Sequence, residues 1–391
     1  MYPINVWILT FIAFIFIARK TIFNVIRDTE GYSTEIDSSS SLAMLGIICS
    51  TCYIITHISQ AKFISKKMKW ILFYYLFAWL SFTWAGNFVT ITFKSLENIC
   101  NVFIIGIIVL YIRDSKKMIY YCILFATVST CMDLIQGVSN FGWGFHHTNV
   151  YTITAFTGML LSIGCIKNKL FTWKELFLPL TICTIAWVAG TSTASYISAI
   201  IGGFILFSSG KKGVNVYRTI VVCIIMYIAF YFAEDKIYSF IVGDHSQEAL
   251  ETGTGRDKIW MAAFALWEES PIVGHGFIVG ETGLAIGQKS AHNSFISALV
   301  NTGIIGITLF ALFIYKWGMK SYISSRKNVY ASIIFPVIIA ICVNLNACPV
   351  LGSHWSYVTD TMLLIVAVTF INFTNNDMGD KRTLRQIMKT K

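Results

Sequence analysis

The chain has 391 residues, of which 55% are hydrophobic and 13% are charged. A soluble domain carries about 25% charged residues, so this balance excludes an ordinary water-dissolved enzyme and points to a membrane protein. The formal charge of +10 would suit a polyanion partner, but the basic residues sit in short loops between apolar segments. That distribution orients a membrane protein and builds no groove for a nucleic acid.

A helix needs roughly 20 mostly apolar residues to cross a bilayer. Segments of this kind start near Pro3, Ser41, Trp70, Glu97, Met118, Thr148, Trp173, Ser192, Asn215, Ser294, Asn328 and His354. The predicted fold is all-α: a polytopic integral membrane protein of about 12 transmembrane helices, with one large extracytoplasmic loop that contains an amphipathic helix. Residues 1–233 supply nine spans, 234–293 the large loop, 294–373 three more spans, and 374–391 a basic tail. The first apolar run, Ile8 to Ala18, lacks a basic leader and a small-residue cleavage site, and reads as a retained span. Cys49 and Cys52 form a C-x-x-C inside an apolar stretch. They read as packing residues, because a redox or zinc pair needs a polar setting.

Basic residues concentrate in one set of alternating loops: Lys62, Lys66, Lys67 and Lys69, then Arg113, Lys116 and Lys117, then Lys167, Lys169 and Lys174. The set continues with Lys211, Lys212 and Arg218, with Lys316, Lys320, Arg326 and Lys327, and with the five Lys and Arg of the tail. By the positive-inside rule both termini are cytoplasmic and loop 234–293 lies outside. Arg19 and Lys20, directly after the first span, are the one local discord. On this map His146, His147, His245, His275, His292 and His354 all fall on the outer side. Asp133 and Asp360 lie in the outer halves of their spans, where an acid usually faces water or a partner.

The large loop carries "GTGRDKIWMAAFALWEESPIVGHG". Thr254 and Asp257 fit a capping box and Pro271 marks a stop. Trp260, Ala263, Phe264 and Trp267 make one apolar face, expected to lie along the membrane surface. Arg256 in the first turn opposes the helix dipole. It either meets lipid headgroups or, with the first-turn N–H groups, forms an anion site in which a guanidinium forks onto phosphate.

"SAHNSFISALVNTGIIG" then opens the tenth span. Either Ser290 or Asn293 caps that helix and His292 is an interfacial polar group, or the imidazole takes a proton from a substrate hydroxyl. The chain has no P-loop, no H-E-x-x-H and no G-x-S-x-G. Glu268 and Glu269 are adjacent on a helix, so they diverge and cannot flank one glycosidic bond. An outward-facing synthetic enzyme needs an activated donor already carried in the membrane.

The order G-R-x-x-x-W, P-x-x-G-x-G, H-N-x-F and a glycine-rich span start resembles the O-antigen ligase/polymerase family. Here it runs through Gly255, Arg256 and Trp260, then Pro271, Gly274 and Gly276, then His292, Asn293, Phe295 and Gly303. The resemblance implies a metal-independent membrane glycosyltransferase of the bacterial inner membrane, without a cofactor. Its donor and acceptor would be undecaprenyl-pyrophosphate-linked oligosaccharides, among membrane lipids, with a chain-length regulator as a protein partner. His292 would orient or deprotonate the acceptor hydroxyl, and Arg256 would neutralise the departing pyrophosphate.

Many members of that family carry a basic residue at the head of an earlier span, and this chain departs from the pattern. "AGTSTASYISAIIGG" offers Thr191, Ser192, Thr193 and Ser195 and no cation. Either hydroxyls such as Thr193 and Ser195 contact the phosphates, or Lys258 or Lys289 supplies the charge. His147 and Asn149 in "FHHTNVYT" resemble the family's polar opening of a mid-chain span, and packing at a helix start competes with that role. Asn293 joins the substrate-binding set; Asp133, Asp360, His275 and Trp260 are supporting residues.

The expected activity is polymerisation of lipid-linked repeat units into O-antigen or a similar polysaccharide, in lipopolysaccharide biosynthesis. The alternatives are ligation of the glycan to lipid A–core and, from another class, a lipid-linked glycan flippase. Against the flippase, the spans hold few ionisable groups and the halves show no repeat.

Overall fold

The computed structural model describes residues 39–112, 114–141, 148–190, 192–210, 213–214, 256–284, 290–351 and 357–373, with Ile8, Phe11 and Ile12. Their one extended pairing is the antiparallel contact of Ser209–Gly210 with Gly213–Val214. The rest of the regular structure is helical, as a chain in lipid requires, since each backbone polar group must find its partner within the protein.

In chain order the helices are α1 Ser39–Thr56, α2 Ile58–Lys67, α3 Lys69–Leu80, α4 Phe82–Ala85, α5 Phe88–Tyr111, α6 Ser115–Phe141 and α7 Thr148–Lys167. They continue with α8 Trp173–Ala189, α9 Thr193–Ser208, α10 Arg256–Glu269, α11 Ser294–Ser325, α12 Val329–Asn344 and α13 Tyr357–Ala367, which runs on as a π-helical turn, Val368–Asn372. By length and composition α5 and α11 can each cross a membrane. The pair α1 and α2 passes the same test jointly, bent by 101° around His57. Shorter apolar helices lie within α7, α9, α12 and the α13 region. The predicted ninth segment lies outside the described residues, as does the first apart from Ile8, Phe11 and Ile12; each other predicted segment falls on a helix.

Side-chain caps set several helix starts. Thr172 and Glu175 form a reciprocal capping box at α8, and Asn328 accepts from the Tyr330 N–H at 2.8 Å to start α12. Helix α5, the predicted fourth span, starts at Phe88, nearer the N-terminus than its predicted start at Glu97. Asn87 caps it by accepting from the Thr90 N–H at 3.2 Å. The sequence pattern hides this start because Lys94 and Glu97 interrupt the apolar run. In the helix the two lie one turn apart with N and O at 3.9 Å, so the charges stay inside the helix rather than ending it.

The core lies between α3, α5, α11, α12 and α13, and is rich in Ile, Leu and aromatic residues. A column of Tyr74, Phe310, Phe313 and Trp317 runs down its middle, Phe313 and Trp317 stacked at 5.9 Å. A second group joins α6, α7 and α8, with α9 laid on α7 and α12. Gly202 of α9 permits that close approach, since a Cβ there would stand 2.8 Å from Ala340 of α12. Large apolar side chains such as Met44, Ile48, Phe177, Leu178 and Ile185 point outward from α1 and α8. In water such a surface would drive aggregation; in lipid it is the surface of an integral membrane protein.

Candidate functional site

The site is built where α10, the loop that follows it and the start of α11 meet. Within α11 the helical ladder is broken. Gly303 has φ 62 and ψ −166, and the loop of Pro271 to Gly276 inserts at that point. In an unbroken helix the N–H groups of Ile304 and Ile305 would bond the carbonyls of Val300 and Asn301. Instead Ile304 donates to the Pro271 carbonyl at 2.9 Å and Ile305 to that of Ile272 at 3.2 Å. The freed carbonyls of Val300 and Asn301 accept from the N–H groups of His275 at 3.0 Å and Gly276 at 2.9 Å. Two helical bonds give way to four, and none of these groups is left open.

That exchange explains two glycines of the motifs. A Cβ on Gly303 would come within 2.3 Å of the Ile272 carbonyl oxygen, and one on Gly274 within 2.5 Å of the Thr302 nitrogen. Both also have positive φ, which side chains resist. The P-x-x-G-x-G segment is thus a plug for a helix break. Trp84 secures it by donating from Nε1 to the Gly274 carbonyl at 3.1 Å, and Ser81 Oγ accepts from the Phe277 N–H at 2.9 Å.

On this base α10 lies against the protein. Ala263 is buried with Leu284, Ala291, Ile296 and Val300, and Trp260, Leu266 and Trp267 surround them. This corrects the predicted placement of the apolar face along the membrane surface, because most of that face packs on the head of α11. Phe264 departs from the predicted stripe and is 43% exposed, beside Met261 at 63%. Pro271 follows the helix end at Glu269, as predicted, and Asp257 sits in the first turn; Thr254 lies outside the described residues. His275 holds the far end of α10, its Nε2–H donating to the Leu266 carbonyl at 2.6 Å. His275 therefore has a structural partner.

Asn293 settles what caps α11, the predicted tenth span. Its Oδ1 accepts from the N–H groups of Phe295 at 2.9 Å and Ile296 at 3.2 Å. Ser290 serves the residue between them, accepting from the His292 N–H at 3.2 Å. His292 itself has φ 49, a left-handed conformation unusual for a histidine. It is half-buried, and among the described residues no hydrogen bond engages its ring. Burial and the neighbouring Arg256 charge hold its pKa below 6.5, so the imidazole is neutral at neutral pH and has a lone pair to offer.

Arg256 stands at the start of α10, also half-buried, and among the described residues it has no carboxylate partner. Burial lowers its pKa, and the Cys348 thiol is close enough to act on it in the opposite direction. A guanidinium stays protonated under any such shift. Trp260, one turn along the same helix, donates from Nε1 to the Ala291 carbonyl at 3.0 Å and so ties the arginine's helix to the peptide that precedes His292. Ser294 completes the anchor: its N–H donates to Leu345 at 2.8 Å and its hydroxyl to the Cys348 carbonyl at 2.6 Å. A cation and a neutral imidazole thus sit within electrostatic reach of each other on a tightly tied frame.

The remaining predicted residues are placed as follows. Lys258 is exposed on α10. Ser195 is fully buried, its hydroxyl 2.6 Å from that of Thr152 and accepting from Asn344 Nδ2 at 3.3 Å. Thr193 is half-buried at the start of α9. This hydroxyl cluster reaches the His292 segment through the chain itself, since Asn344 precedes Leu345, the acceptor of the Ser294 N–H. Asp360 is 1% exposed in the first turn of α13. Asp133 and Asn149 lie on α6 and α7, with their side chains outside the description; His147 and Lys289 lie outside the described residues.

Sequence reasoning missed Glu281, Ser297 and Asn301. Glu281 is 2% exposed and accepts from the Ala291 N–H at 2.9 Å and from the Ser297 hydroxyl at 2.5 Å. Asn301 accepts from the Glu281 N–H at 3.2 Å. The one available signal was a lone acid in the glycine-rich, apolar "VGHGFIVGETG", matched by an asparagine well inside an apolar span.

Residues 178–311 match a family model described as O-Antigen ligase. The stretch, about a third of the chain, contains Arg256, the plug, His292 and the break in α11. Over this stretch the chain is similar to the O-antigen ligase family. No curated protein matches the chain.

Proposed function

We propose that the chain is a membrane glycosyltransferase that joins lipid-pyrophosphate-linked repeat units into a surface polysaccharide, with Arg256 and His292 as its reacting pair. The observation that carries this reading is the half-buried guanidinium beside a half-buried, neutral imidazole. A neutral imidazole accepts the proton of an attacking sugar hydroxyl as the new glycosidic bond forms at the anomeric carbon. The bond to the lipid pyrophosphate breaks in the same displacement, and the guanidinium meets the charge that builds on the leaving oxygens. Pyrophosphate leaves readily, so no separate acid is required. Lys258, exposed two residues along, supplies further positive potential towards the anionic donor.

The reading requires α10 to face the periplasm of a bacterial inner membrane, with the basic loops inside. On a cysteine-free background, a cysteine at Glu269 is expected to react with an impermeant thiol reagent in outer-permeabilised cells, and one at Lys327 is expected to stay unlabelled. Both positions are exposed, so the contrast reports sidedness, and reversed labelling would overturn the orientation.

The family description as a ligase favours a second reading, transfer of the finished glycan to lipid A–core. A strain lacking the chain separates the two. Loss of polymerisation leaves core with a single repeat unit and no ladder. Loss of ligation leaves bare core and an accumulating lipid-linked polymer. Repeat units trapped on the cytoplasmic leaflet would refute both and point to a flippase.

A further inference from the structure

We propose that Glu281 is a positioning residue: it clamps the backbone of Ala291, the residue before His292, to the first turns of α11 and so fixes the imidazole relative to Arg256. A carboxylate with 2% exposure is costly unless donors meet it, and the two close donors to its Oε1, the Ala291 N–H and the Ser297 hydroxyl, belong to the frame of His292. Ala291 N–H donates to Oε1 at 2.9 Å, the Ser297 hydroxyl to the same oxygen at 2.5 Å, and Asn301 Nδ2 reaches Oε2 at 3.5 Å. Ala291 is held on its other side as well, its carbonyl accepting from Trp260 Nε1 at 3.0 Å. Its N–H and its C=O are therefore both fixed, the first through Glu281 to Ser297 of α11 and the second to the helix that carries Arg256. The next residue is His292 at φ 49, a conformation that persists only where its surroundings impose it. Nothing in the sequence motifs marks Glu281, and the reaction proposed above does not use it directly.

A clamp depends on reach and acceptor geometry, whereas an electrostatic or proton-transfer role depends on charge. Two conservative variants separate these. Glu281→Gln keeps the length and one acceptor oxygen without the charge; Glu281→Asp keeps the charge but is one methylene too short to hold Ala291 while its backbone N–H stays on Asn301. The readout is the rate at which diethyl pyrocarbonate modifies His292 in the full-length protein in lipid nanodiscs, followed by mass spectrometry between about pH 5 and 8, the range in which histidine titrates. Glu281→Gln is expected to match the unmodified protein within about twofold. Glu281→Asp is expected to raise the midpoint of modification towards that of an ordinary histidine, and to lower polymer formation by about tenfold or more. The opposite ranking, with Glu281→Asp unchanged and Glu281→Gln shifted, would overturn the proposal, and so would no change in either.

The polymer arm rests on the glycosyl-transfer reading, but the His292 titration does not. Were His292→Ala and Arg256→Ala to leave the ladder intact while Glu281→Asp moved the titration, the reaction would be misassigned and the clamp would stand.

Discussion

The plug and the Arg256–His292 corner are built from one stretch of chain, with the plug between Arg256 and His292, and they treat polar groups in opposite ways. At the plug the freed N–H groups of Ile304 and Ile305 and the carbonyls of Val300 and Asn301 are taken up again by residues 271–276, and Gly303 and Gly274 have no room for a Cβ. At the corner a guanidinium and an imidazole are half-buried, and among the described residues neither is hydrogen-bonded. A protein that satisfies itself so completely in one place and keeps a cation and a base in reserve next to it has separated scaffold from site. Substitutions at the first should cost folding, and those at the second should cost activity alone.

The largest effect tests the scaffold. Gly274→Ala forces a methyl against the backbone of Asn301, Thr302 and Gly303, which cannot move aside as a flexible side chain would. A loss of about 3 kcal/mol or more is expected, seen as failure to accumulate in the membrane or as a broad, early-eluting peak in detergent. Normal accumulation would mean that the plug is not rigid.

Next comes the corner. His292→Ala is expected to reduce polymer formation by about 10²- to 10⁴-fold, as for removal of a general base, with unchanged melting behaviour. Arg256→Lys should remain poor, because an ammonium lacks the guanidinium's bidentate fork. If both variants lose stability instead, the distinction between the two regions collapses.

pH sharpens the same contrast. His292 has a pKa below 6.5, so the neutral form persists at neutral pH and activity should fall only as pH drops through that lowered value. The unfolded chain binds the proton more tightly, so stability also declines as pH falls below about 6.5. Arg256→Gln removes the neighbouring positive charge, one of the two causes, and should move the titration of His292 upward. An unmoved titration would separate the two residues.

The smallest effect returns to the plug. Trp84→Phe removes the indole N–H that meets the Gly274 carbonyl at 3.1 Å, while Ser270 Oγ still donates there at the same distance. A loss of about 1 kcal/mol in a melting experiment, with activity retained, is the expected result.

Much of this was legible in the sequence. Apolar run lengths located most helices, and G-R, P-x-x-G-x-G and H-N located the corner. What stayed hidden has physical reasons. The break at Gly303 leaves no mark on hydropathy, because "TGIIGITLF" remains apolar on both sides and only tertiary contacts reveal the bond exchange. The inward packing of α10 was misread because periodicity identifies an apolar face without saying what covers it. Glu281 was missed because its partners follow in a later element and no fixed spacing announces them.

The broken ladder also bears on how the molecule is made. While α11 is being inserted, an uninterrupted helix is the cheapest way to carry its backbone into lipid, with Ile304 paired to Val300 and Ile305 to Asn301. The finished arrangement gives those pairings up for Pro271, Ile272, His275 and Gly276. A continuous helix and a seated loop therefore compete for the same four backbone groups, and the corner is complete only where the loop holds them.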